Sequence, residues 1–268
     1  LAFFIRSGKI WYKSYCGRFD WNKSLLKLQS TYFLVAHGSR DPRPQVALDK
    51  LAQLLCQRQA GLTPAGKPVV GTGTLEVAPT PLREQLLQFG LYTGSLGLRR
   101  VELIPLFLLP GVHVMEDIPA EVALAQSALG SQVTVDLRPH LGYNPRLVFL
   151  LAKQMQRVAA EAWILLSHGS SRAGANEPVR ELAAQLGAVP AFWSAGLGLS
   201  ERVRELVAAG CRRVGIIPYF LFAGGITDAI GESVEGLRVR FPEVSFYLAE
   251  PLGATVELAD LVLELVGE

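Results

Sequence analysis

The chain has 268 residues, enough for one large domain or two of ordinary size, and half of them are hydrophobic. Its net charge of +2 is unevenly spread: residues 1–30 carry six Lys or Arg against one acid, Asp20, and residues 31–268 carry 20 basic against 23 acidic residues. That slightly acidic body argues against a nucleic-acid surface, and no apolar stretch reaches the ~18 residues of a membrane span.

The basic, aromatic leader 1–30 has no long apolar core and no helical periodicity. A targeting peptide is one reading; a poorly structured extension, such as an over-long gene start, is the plainer one and the expectation here. Cys16, Cys56 and Cys211 lie far apart with no CxxC, which suits a reducing, cytoplasmic setting and gives no disulfide framework, zinc knuckle or cluster.

From residue 32 onward, short apolar runs alternate with helical patterns. Strand 32–36 precedes helix 44–59, strand 68–75 precedes helix 80–89, and strand 101–108 precedes helix 117–128. A fourth strand, 132–137, leads to helix 144–159. The strands are rich in Val, Ile, Leu and Phe with little polar alternation, so they read as buried on both faces of parallel sheets.

The pattern then repeats. "YFLVAHGSR" (32–40) matches "WILLSHGSS" (163–171), and "RRVELIPLFLLPG" (99–111) matches "RRVGIIPYFLFAG" (212–224) at eight of thirteen positions. "LRPHLGYNP" (137–145) echoes "LAEPLGATV" (248–256). Three echoes in one order imply duplication. The first half is longer by 18 residues between its HGS histidine and its strand proline, part of the excess falling in the Gly/Pro-containing 60–68. The expected architecture is α/β: two doubly wound lobes with parallel sheets, at 31–147 and 148–268, with a cleft between them.

Ligands of open parallel sheets bind beyond the carboxyl ends of the strands. His37 follows the first strand, Glu76 the second, and His113 the third after a Pro-Gly break. The second half keeps only His168: no Asp or Glu occurs from 182 to 200, and Ile226 stands opposite His113. One lobe is therefore equipped and the other is not. His140 reads as structural, while His168 is as readily a loop or cleft residue as a chemical one. Glu76 alone would equally suit a helix-start carboxylate, and Glu116 and Asp117 read as helix N-terminal charge. The convergence of His37, Glu76 and His113 on one strand edge is what favours function for those three.

"GTGTLE" (71–76) and "GLGLSE" (196–201) are neither Walker loops nor dinucleotide fingerprints, and there is no GxSxG elbow. No tightly bound cofactor is expected. A His-Glu-His set without cysteine suits borderline divalent ions such as Fe²⁺, Co²⁺, Ni²⁺ or Zn²⁺, and three protein ligands leave positions open for work.

Taken together, "LVAHGSRDPR", "GTLEVAPTPL", "IPLFLLPGVHVMEDIP" and "LLSHGS", with the two "LG" turns, resemble the sirohydrochlorin chelatases of siroheme and cobalamin biosynthesis, in their long two-half form. The resemblance covers about residues 32–260. It implies Rossmann-like lobes and a chelatase that inserts Fe²⁺ or Co²⁺ into sirohydrochlorin. The family's metal-handling residues fall on His37, Glu76 and His113, with the two histidines also as pyrrole proton acceptors. The carboxylate-rich substrate calls for cations in the cleft, and Ser39, Arg40, Arg43 and Arg172 are the candidates. Partners are then sirohydrochlorin and a divalent metal, without nucleic acid or membrane, and the fused halves imply a monomer. A non-catalytic metal or tetrapyrrole carrier is the alternative that the same residues allow.

Overall fold

A computed structural model describes residues 2–6, 9–13, 31–59, 69–172 and 174–266. At the N-terminus, β1 (Ala2–Arg6) and β2 (Lys9–Lys13) pair antiparallel. The rest of the leader, and the Gly/Pro segment 60–68, lie outside the described residues.

The body holds two four-stranded sheets, all parallel. The first has the order β4-β3-β5-β6, from β3 (Thr31–Ala36), β4 (Val70–Thr74), β5 (Arg100–Pro105) and β6 (Thr134–Leu137). The second, β8-β7-β9-β10, repeats that order with β7 (Ala162–Ser167), β8 (Val189–Phe192), β9 (Arg213–Pro218) and β10 (Ser245–Leu248). In each sheet the first and third strands of the repeat are neighbours. The order therefore reverses between them, which is where such folds place their ligands.

The apolar runs become strands because both of their faces are covered. In β3, Phe33 and Val35 join one core with Leu82, Leu86 and Phe89 of α2 (Leu82–Ser95) and Ile118, Val122 and Leu129 of α3 (Ile118–Leu129). Leu34, pointing the other way by strand alternation, is also fully buried. α1 (Pro42–Gln59) packs on β3 and β4 and against α8 (Val256–Glu264), with Leu48, Leu51, Leu55, Leu258 and Val262 buried. Each such buried side chain contributes about 1.5–3 kcal/mol relative to exposure.

The second sheet is built alike. Ile164, Leu166, Val214 and Ile216 share a core with Leu199 and Val203 of α6 (Leu199–Ala208) and Ile230, Val234 and Leu237 of α7 (Gly225–Arg240). On its other side α5 (Glu177–Leu186) packs on β7, and α4 (Leu147–Met155) packs on α5 and β9.

Contacts divide the chain into residues 1–144 with 254–268, and residues 145–253. Each half thus gives its last helix to the other unit. α8, read in sequence as part of 148–268, packs in the first unit. The buried Asn144 ties it there, donating from Nδ2 to the Leu261 carbonyl at 3.0 Å and to Glu264 Oε2 at 3.1 Å. Pro145 explains why the helix expected over 144–159 starts only at Leu147. A residue before proline is pushed out of the helical region, and Asn144 is extended at φ −71°, ψ 114°. Among the described residues no helix is long and apolar enough to cross a membrane.

Candidate metal centre

His37, Glu76 and His113 come together at the carboxyl edge of the first sheet, one donor atom from each lying within 4.8 Å of the others. His37 Nε2 is 3.8 Å from Glu76 Oε2, and His113 Nε2 is 3.8 Å from Glu76 Oε1. These separations are too long for hydrogen bonds. They suit an ion between the groups: bonds of 2.0–2.1 Å in a tetrahedral array put donors about 3.3–3.4 Å apart, so a small closure completes the set. The imidazole rings meet edge to face with centroids 4.9 Å apart. Side-chain exposures of 52%, 50% and 34% leave the cluster open to an incoming partner.

Local backbone chemistry fixes each donor. β3 runs straight into His37, and the His37 carbonyl accepts from the Glu76 N–H at 2.8 Å, joining the two loops. Gly38 lies at φ +100°, and a Cβ there would fall 2.0 Å from the Glu76 carbonyl oxygen, so only glycine permits this approach. Val77, immediately after Glu76, has φ 60°, the one positive value at a non-glycine among the described residues. Backbone held there costs about 1–3 kcal/mol and persists only where the surroundings enforce it. The buried Gln85 supplies part of that enforcement. Its Oε1 accepts from Thr74 N at 3.1 Å, and its Nε2 donates to the carbonyls of Thr74 and Thr80 at 2.9 and 2.8 Å. Sequence reading overlooked Gln85, whose signal was a polar residue on the apolar face of α2.

His113 sits differently. β5 stops at Pro105, the chain turns through Pro110 and Gly111, and residues His113–Asp117 form a π-helical turn before α3. The His113 carbonyl accepts from the Ile118 N–H, a five-residue step. Asp117 Oδ2 lies 2.7 Å from His113 Nδ1, so Asp117 touches the cluster rather than only complementing a helix dipole. His37 Nδ1 faces the Gly38 carbonyl at 3.2 Å. Phe107 packs against both imidazoles at 6.3 and 6.2 Å, and its carbonyl takes the Nδ1 proton of His140 at 3.0 Å.

Of the remaining candidates, Ser39, Arg40 and Arg43 follow His37 in the loop and the start of α1. Ser39 and Arg40 line a pocket of about 260 Å³ whose wall includes Glu76 and Val77 but neither histidine. Ser39 Oγ accepts from Asp41 N at 3.1 Å. Arg43 is turned onto Asp41, its Nε 3.1 and 3.0 Å from the two carboxylate oxygens, and this pairing holds the Asp41 carboxyl below its ordinary range. Arg172 belongs to the second lobe, in a loop where its N–H donates to Ser170 Oγ at 3.2 Å.

That lobe repeats the backbone with one of the three donors, His168, in place. The His168 carbonyl accepts from Ser194 N at 2.8 Å, as His37 does from Glu76, so Ser194 occupies the Glu76 position. Tyr219 N donates to the Leu166 carbonyl at 2.7 Å, as Leu106 N does to Val35, which sets Ile226 opposite His113 when counted from the strands.

The body is thus two duplicated parallel α/β lobes, one of which bears an open His-Glu-His cluster that could hold a metal ion at its sheet edge. The sequence profile of the CbiX family matches twice, over residues 31–158 and 162–268, and the chain belongs to that family. It is 24% identical over 254 residues to the sirohydrochlorin ferrochelatase of Bacillus subtilis (strain 168), covering 90% of this chain and 92% of that one. It is 26% identical over 188 residues to the sirohydrochlorin cobaltochelatase of Priestia megaterium, covering 64% and 61%. In three dimensions it is similar to SirB from Bacillus subtilis, solved with Fe³⁺, at TM-score 0.71 and 23% identity over 89% of this chain and 94% of that one.

Proposed function

We propose that the chain is a sirohydrochlorin chelatase that inserts Fe²⁺ or Co²⁺ into the tetrapyrrole. The observation that carries this reading is the His37–Glu76–His113 cluster at the switch point of one sheet, supported by membership of a family whose relatives are named for that reaction. Metal insertion requires an ion to shed ligands while two pyrrole N–H groups lose protons. Two neutral imidazoles and one carboxylate hold a divalent ion and offset part of its charge, and the coordination positions they leave open face the incoming pyrrole nitrogens. As the metal passes to the macrocycle, the freed imidazole nitrogens of His37 and His113 accept the protons, since imidazole serves both as metal ligand and as general base. Arg40, on the pocket beside Glu76, is the better carboxylate partner than Arg43, whose guanidinium already faces Asp41.

The test is absorbance-monitored metallation of sirohydrochlorin by the purified protein, with each metal in turn. Many turnovers per chain are expected. His37→Ala and His113→Ala should each slow insertion by orders of magnitude, whereas His168→Ala should leave it unchanged. A fixed stoichiometric complex without turnover would defeat the enzyme and favour a carrier. Equal losses from His168→Ala would defeat the one-sided site.

A further inference from the structure

We infer that Asp117 is a positioning residue that fixes the tautomer and aim of His113; the inference rests on the metal-handling reading above. A carboxylate only accepts, so the 2.7 Å contact between Asp117 Oδ2 and His113 Nδ1 places the proton on Nδ1. The lone pair is then left on Nε2, the nitrogen that faces Glu76 Oε1. His37 follows the same rule with a backbone acceptor, since its Nδ1 faces the Gly38 carbonyl and its Nε2 faces Glu76 Oε2. In their neutral forms both rings therefore present the Nε2 lone pair toward Glu76. Acceptors that orient a ligating imidazole in this way commonly matter 10–100-fold in metal affinity.

The device is local to the first lobe. From Pro105 to the buried Ile118 the chain takes thirteen steps, and from Pro218 to the buried Ile230 it takes twelve. Ile118 and Ile230 open equivalent core stripes, followed by Val122 and Val234. The first lobe thus carries one extra residue between strand and helix, and the π turn His113–Asp117 absorbs it. The second lobe, where α7 begins as an ordinary α-helix, has a glycine or isoleucine in place of His113 and no acid in place of Asp117. The inserted residue and the His113–Asp117 pair occur together.

The experiment uses the full chain free of metal. Long-range ¹H–¹⁵N spectra, taken where imidazole is neutral, should show His113 as the Nδ1–H tautomer in the wild type. In Asp117→Ala a substantial fraction should move to the Nε2–H form. Asp117→Asn, whose amide oxygen still accepts, should lie between. Titration with Co²⁺ alone should show binding weakened about 10-fold or more by Asp117→Ala. Glu116→Ala removes the same charge one residue away and should bind as the wild type does. An unchanged His113 spectrum in Asp117→Ala, or equal weakening by Glu116→Ala, would overturn the assignment. Failure of the wild type to bind Co²⁺ would instead defeat the metal-handling reading, and the tautomer spectra would still decide what Asp117 does.

Discussion

The His140 ring donates from Nδ1 to the Phe107 carbonyl, and the Phe107 ring lies against His37 and His113. Burial holds the His140 imidazole below the ordinary histidine range, and the bond to Phe107 only partly offsets it. The unfolded chain, with an ordinary value near 6.5, then takes up a proton at a higher pH than the folded chain does. Stability from this residue is complete above the unfolded value and is lost as pH falls from there through the lower, folded one. His140→Asn keeps a donor for the carbonyl without the titration. Urea unfolding of this variant between about pH 7 and pH 5 should show a shallower fall in stability than the wild type. Identical slopes would mean that His140 is as solvated in the folded chain as in the unfolded one.

At the scale of elements, periodicity located every strand of the first sheet, with α1 and α3, to within about three residues, because runs such as Thr31–Ala36 are buried on both faces and carry no ambiguity of period, whereas α2 runs on to Ser95, past its expected end at 89. Two features stayed hidden. The exchange of terminal helices depends on which core α4 and α8 find, and an apolar stripe such as Leu258, Val262 does not name its partner sheet. The π turn was hidden because "HVMEDIPAEV" reads as the first turns of an amphipathic helix. Only aligning the repeats through both the proline strand and the core stripe of the following helix reveals the extra residue. The donor cluster was easier to see, since His37 and Glu76 come just after their strands and His113 follows the Pro-Gly break beyond β5. Asp117 was placed at a helix start, and its contact with His113 needed coordinates. Because Met115 is 61% exposed, deleting it should recreate the shorter connection of the second lobe without touching the core. Thermal unfolding should change by only a few degrees, whereas Co²⁺ binding should weaken at least about 10-fold as His113 and Asp117 lose their register. Tight binding in the deletion variant would show that the π turn is incidental to the site.

At the scale of the whole molecule, duplication supplied the same sheet order twice, and the His-Glu-His set stands in one copy. Nothing in the second sheet forbids a metal site: His168 is exposed after its strand, and Ser194 and Ile226 occupy the other two positions. The difference lies in side chains and one inserted residue, a much smaller change than a fold. Ser194→Glu with Ile226→His, placed in a chain already carrying His37→Ala and His113→Ala, should therefore restore binding of one Co²⁺ per chain. Binding should be weaker than in the wild-type lobe by about 10-fold or more, because α7 lacks both the extra residue and an acceptor for the new imidazole. Calorimetry on the purified variant gives stoichiometry and affinity together. Inserting one residue after Ile226→His together with Ala229→Asp, which then stands four residues beyond the new imidazole as Asp117 does beyond His113, should tighten the site. No binding in either variant would mean that the second sheet edge has diverged beyond its ligands, and that the match between the lobes ends at the backbone.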